Sequence, residues 1–103
     1  MAGMVFVSDA SDWGASSSVF YWVVEALADA VPSPELAARL REVSDFNLGS
    51  FGLADFGPDA EVELRAAIAD LPGVADRTLP ASDEREAVIA QIRELADLVA
   101  QNR

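Results

Sequence analysis

The sequence contains no cysteine, histidine or lysine, and these absences exclude much of the chemistry that enzymes perform. Without cysteine and histidine there is no thiol nucleophile, no histidine-based catalytic triad, and neither a thiolate nor an imidazole ligand for a metal. Without lysine there is no Schiff base and no lysine for a phosphate-binding loop. The glycines fit no dinucleotide-binding pattern either. The sequence therefore predicts a protein that is not an enzyme and needs no cofactor.

Carboxylates are the reactive groups that remain. Asp9 and Asp12 lie close to Trp13 in the sequence, where two carboxylates could hydrolyse a glycoside or bind a hard cation. Their spacing does not match a calcium-binding loop, and loop aspartates more often form turns and cap helices. A carboxylate-dependent hydrolase is therefore the weakest of three functional hypotheses.

Positive charge is scarce, because seven arginines face 18 acidic residues and the net charge is −11. Residues 1–50 carry a charge of −5 and residues 51–103 a charge of −6, so the acidity is not confined to a tail. Such a field repels nucleic acid and anionic lipid and accelerates encounters with cationic proteins. We expect a basic protein partner, for example a toxin, and neither nucleic acid nor a membrane. The alternative is that the charge only keeps a small protein soluble.

Long apolar runs are also missing. The first seven residues do not read as a signal peptide, because no basic region precedes a sustained apolar stretch. The most apolar segment, residues 19–31, contains two acids and is too short to span a bilayer. We therefore expect a cytoplasmic protein.

Apolar residues make up 51% of the chain, enough for the core of a small domain without disulfides or a metal. Disordered acidic chains lack this apolar content. We find no internal repeat and no low-complexity linker. The sequence predicts a single domain spanning residues 1–103.

Hydrophobic periodicity predicts four helices, near residues 16–31, 34–44, 59–71 and 83–101. Pro72 and Gly73 are expected to end the third helix, and residues 74–80 to form a connector. Residues 4–8 read as a buried strand and residues 9–14 as a polar loop, and residues 50–54 could form a short second strand. The predicted fold class is α+β, predominantly helical, with one or two short strands. The core residues expected on the helices are Leu36, Leu40, Leu64, Ile68, Ile92, Leu95 and Val99.

Residues 44–58 are predicted to be a glycine-rich connection carrying Phe46, Phe51 and Phe56. A spacing of five fits neither a helix nor a strand, so the three rings are expected to anchor the loop separately in the core. The second functional hypothesis follows from this loop. In it, the protein is a small regulatory or ligand-binding domain whose aromatic loop covers an apolar pocket.

The first predicted helix presents two different faces when its residues are placed at 100° intervals. One face is apolar, whereas Trp22, Glu25 and Asp29 share the opposite face. A tryptophan beside two carboxylates suits a basic partner, because the indole supplies contact area and cation–π attraction for arginine or lysine. Two alternatives remain open: residues 19–24 could form a strand, or Trp22 could pack under the phenylalanine-rich loop.

A second candidate surface consists of four acids at the start of the third helix: Asp55, Asp59, Glu61 and Glu63. Acids stabilise the first turn of a helix, and Glu61 can pair with Arg65 four residues on. Neither reason explains Asp55 or Glu63, so a role in partner binding is the alternative.

The first functional hypothesis combines these features. We expect a non-enzymatic acidic protein-binding domain, most concretely an immunity protein or antitoxin-like inhibitor that neutralises a basic protein. Such an inhibitor needs a rigid small body, complementary charge for fast association and an aromatic anchor, and it needs no catalytic group.

Overall fold

The computed structural model describes residues 2–8 and 10–102. Along this part of the chain the elements are β1 (Ala2–Ser8), β2 (Ser11–Ser16), α1 (Ser17–Ala30), α2 (Pro34–Asp45), β3 (Ser50–Gly52), a short 3₁₀ helix (Leu53–Phe56), α3 (Pro58–Thr78) and α4 (Arg85–Gln101). The predicted α+β, predominantly helical fold class is confirmed.

The three strands form one sheet in the order β2-β1-β3. β1 pairs antiparallel with β2 and parallel with β3, so that Val5 lies between Trp13 and Phe51. These three side chains are buried on the face that the helices cover. Phe6 points to the other face and is 45% exposed, so the sheet is covered on one side.

β2 corrects the prediction of a polar loop over residues 9–14. Trp13 and Ala15 are buried while Asp12 and Gly14 are exposed, which is the alternation of a half-buried strand. The strand is short and mostly polar, so its composition resembles a loop. Asp9 lies outside the described residues.

The helices carry most of the core. Every core residue predicted on them is buried, and α1 adds Phe20, Val23, Val24 and Leu27. The strand alternative for residues 19–24 is wrong, because α1 includes them and begins after Ser16, whose hydroxyl accepts from the Val19 N–H. Ser33 caps α2 in the same way, with Pro34 in the first turn.

α3 corrects the prediction that Pro72 and Gly73 end it, because the helix continues to Thr78. Proline lacks the N–H that would bond to the preceding turn, which normally disfavours a helix interior. Here Leu71 and Ala75, on either side of the interruption, are both buried on one stripe. Arg85 then donates to the backbone oxygens of Asp76 at 2.6 Å and Leu79 at 3.4 Å. Tertiary packing and this cap therefore outweigh the tendency of Pro72 and Gly73 to end the helix. Residues 74–78 are helical and do not form a connector.

The phenylalanine-rich segment is anchored by two of its three rings. Phe51 is buried, with its ring centroid 6.1 Å from that of Phe20 and 6.0 Å from that of the half-buried Phe56. Phe46 is 70% exposed, so the prediction that it anchors in the core is wrong. It ends α2 just before Asn47, which has a positive φ of 54°, and the chain turns there before the ring can reach the core.

Within the described part of the chain, no helix has both the length and the apolarity required to cross a membrane.

Candidate functional site

An open groove runs between α1 and the last two turns of α3. Its volume is about 410 Å³, and we call it the Trp22 groove after its largest residue. Its lining consists of Trp22, Glu25, Ala26, Asp29 and Ala30 from α1, with Val74 and Thr78 from α3. The α1 residues Trp22, Ala26 and Ala30 repeat every four positions and make a continuous apolar stripe.

Trp22 is neither fully exposed nor part of the deep core. It is half-buried against the core and lies in the groove rather than under the phenylalanine-rich loop. Trp13 shows the contrast, because it is only 3% exposed and its Nε1 donates to the Gln91 carbonyl at 2.9 Å. The Trp22 indole therefore keeps a surface that another molecule can contact.

Two carboxylates stand along the rim of the Trp22 groove, and the structure distinguishes them. Asp29 Oδ1 lies 2.7 Å from Arg41 Nη2, so a neighbouring helix already neutralises this acid. Glu25 is exposed, and among the described residues it has neither an ion-pair partner nor a hydrogen bond. The structure thus brings Trp22, Glu25 and Asp29 together as predicted, with only Glu25 uncommitted.

The second predicted acidic surface is largely accounted for by contacts within the chain. Asp55 Oδ2 accepts from the Gly52 N–H at 2.8 Å and caps the 3₁₀ helix. Glu63 Oε1 accepts from the Ser33 N–H at 3.1 Å, which ties α3 to the start of α2. These hydrogen bonds give structural roles to Asp55 and Glu63, whose presence is not explained by the preference for acids in the first turn of a helix.

The four acids also do not form one surface. Asp59 and Glu63 lie one turn apart beside α2, in a groove of about 210 Å³. Glu61 points towards α4, because Arg65, its partner at 2.9 Å, also donates to the Val99 carbonyl at 3.1 Å. Residues two apart on a helix face different directions, so the sequence cluster is dispersed in space.

A larger groove lies between the end of α3 and α4 and measures about 560 Å³. Its walls mix both signs of charge, and its Arg85 is paired with Asp76 at 3.2 Å. Most of its lining is charged, so it offers a partner less apolar contact area than the Trp22 groove does.

Of the predicted carboxylate pair, only Asp12 belongs to the described part of the chain. There, no group of three or more carboxylates is close enough to hold a metal ion. Asp12 is exposed, lies on the same open face of the sheet as Phe6, and does not line the Trp22 groove.

Sequence reasoning missed the opposite wall of the Trp22 groove. The sequence predicts a connector at Val74 and Thr78 because Pro72 and Gly73 precede them. Val74 and Thr78 are four residues apart and follow the buried Leu71 and Ala75 by three residues each. This helical spacing is the signal in the sequence that α3 continues.

No family model, curated protein or solved structure matches this chain significantly.

Proposed function

We propose that this chain is a non-enzymatic acidic domain that binds a basic protein through the Trp22 groove. The observation that carries the proposal is a half-buried tryptophan in an apolar groove, edged by carboxylates, on a molecule with a net charge of −11. Its most concrete form is an immunity protein or antitoxin-like inhibitor that neutralises a basic toxin in the cytoplasm.

The two features act on different steps of binding. The net charge attracts a cationic protein over distances up to the Debye length, which raises the association rate. The groove supplies desolvated contact area once the complex forms, which lowers the dissociation rate. Together they meet the requirements of a fast and tight inhibitor.

The core supports binding without large rearrangement. In the described residues, no polar or charged residue is buried, and no buried side-chain nitrogen or oxygen lacks a hydrogen bond. A well-packed apolar core of this kind holds the helices that form the groove in fixed positions.

The regulatory or ligand-binding alternative has less support. The groove beside the aromatic loop measures about 190 Å³, whereas small-molecule pockets usually span about 300–1,000 Å³. Phe51 fills the space beneath the loop with its own ring.

Capture from a native lysate tests the proposal. The wild-type chain is immobilised beside two variants, Trp22→Ala and the matched control Phe46→Ala, which removes an exposed aromatic ring outside the groove. At low salt, about 50 mM, we expect the wild type and Phe46→Ala to retain a basic protein that Trp22→Ala loses. Circular dichroism checks that each variant is folded. The proposal is contradicted if the retained proteins are not basic or if Trp22→Ala retains them equally well.

A further inference from the structure

The Trp22 groove combines an apolar wall with a single available negative charge. Glu25 follows Trp22 by three residues on α1, so the carboxylate and the indole are neighbours on the helix surface. Ala26 and Val74 continue the apolar lining away from them. A ligand that fits must carry a cation at one end and an apolar stem along the rest.

Arg41 competes with an incoming cation for Asp29. It holds Asp29, the second rim carboxylate, at 2.7 Å from the side of α2, and it does not itself line the groove. Glu25 is left as the acid that an incoming cation can pair with.

From this arrangement we infer that the groove binds one arginine side chain of the basic partner, with its guanidinium between Trp22 and Glu25. This inference rests on the proposed function. A planar guanidinium stacks on an indole while its edge donates to a carboxylate, and its three-carbon stem covers apolar surface. A lysine ammonium is more strongly hydrated and does not stack in this way.

The test uses short peptides as probes for the unidentified partner. Acetyl-Gly-Gly-Arg-Gly-Gly-amide is compared with the same peptide carrying citrulline, which is nearly isosteric and uncharged, and with one carrying lysine. Binding is followed by NMR through the two indole N–H signals, which Trp22→Phe assigns. The Trp22 signal should shift saturably, and the signal of buried Trp13 should not.

We expect the citrulline peptide to bind at least about fivefold more weakly than the arginine peptide, and the lysine peptide to fall between them. Glu25→Gln should weaken arginine binding about threefold, whereas Asp12→Asn, an equal charge change on the far face of the sheet, should leave it within about 1.5-fold.

Substitution of Arg41 gives the most specific test. Arg41→Gln frees Asp29 and should tighten arginine binding about twofold. Asp29→Asn alone should have little effect, but it should remove the gain when it is added to Arg41→Gln. All of these side chains are exposed, so the variants should fold normally.

Equal binding of the arginine and citrulline peptides overturns the inference, as does an unshifted Trp22 signal or an unchanged affinity in Glu25→Gln. If the lysate experiment still captures a basic protein through Trp22, the proposed function stands without the arginine site. If it captures none, the proposed function itself fails.

Discussion

At the residue scale, the two tryptophans show that the same type of side chain can either fill the core or line a surface groove. Trp13 projects inward from β2 and uses its Nε1 to bond the Gln91 carbonyl of α4. Trp22 projects sideways from α1 and leaves part of its ring in an open groove. The difference comes from the neighbouring elements, because α4 covers the first position, whereas none of the described elements closes over the second.

This difference predicts unequal effects on stability. Trp13→Ala should lower the free energy of unfolding by about 3–5 kcal/mol, since it removes a buried ring and leaves a cavity. Trp22→Ala should lower it by only about 1–2 kcal/mol, because the ring is half-buried. Urea denaturation measures both. If Trp22→Ala unfolds the protein, Trp22 is a core residue and the anchor hypothesis is wrong.

At the element scale, the distal part of α3 decides whether the groove exists. Val74 and Thr78 provide the wall opposite Trp22, and they follow a proline inside the helix. Arg85 caps this end by donating to two carbonyl groups of the final turn and the residue after it. The groove therefore depends on a helix segment that local preference alone would not maintain.

A pair of glycine variants tests this dependence. Gly73→Ala should raise the free energy of unfolding by about 0.5–1 kcal/mol, because alanine favours the helix. The new Cβ would meet only the end of the flexible Arg77 side chain, at 3.4 Å. Gly3→Ala should destabilise by about 1–3 kcal/mol, because its Cβ would overlap the Phe20 ring in the core. Thermal and urea unfolding measure both, and a destabilising Gly73→Ala would show that the distal α3 is not an ordinary helical segment.

The elements also show which features sequence can predict. Core positions such as Leu64 and Ile68 follow a helical period that local sequence carries, and their burial was predicted. The continuation past Pro72 was not, because it depends on contacts with Arg85 and on a buried stripe that only tertiary structure completes.

The candidate site also has features that the sequence predicts and features that it does not. The shared face of Trp22, Glu25 and Asp29 follows from helical geometry and was predicted. The pairing of Asp29 with Arg41 and the bonds of Asp55 and Glu63 join separate segments, so periodicity within one helix could not reveal them.

At the scale of the whole molecule, the acidic charge is distributed rather than focused. The described ion pairs neutralise Asp29, Glu61 and Asp76, while most other acids stand exposed around the surface. The electrostatic contribution to association should therefore depend on total charge more than on any one acidic segment.

This expectation is tested by replacing Asp55, Asp59, Glu61 and Glu63 together with their amides, which changes the net charge from −11 to −7. Association with the captured basic partner should slow by the same factor as in a control in which Asp12, Asp45, Asp83 and Glu94 are replaced. The first variant should also be less stable, because Asp55, Glu61 and Glu63 make bonds within the chain. If only the first variant slows association, that acidic segment is a specific docking surface.

The most direct test of the central claim is the binding kinetics of the captured basic partner, measured by surface plasmon resonance between about 50 and 300 mM salt. For the wild type and Trp22→Ala, the association rate should fall with salt along the same slope. Trp22→Ala should dissociate about 30-fold faster, equivalent to about 2 kcal/mol of lost binding free energy. An association rate that is independent of salt, or a dissociation rate that Trp22→Ala leaves unchanged, would contradict the account.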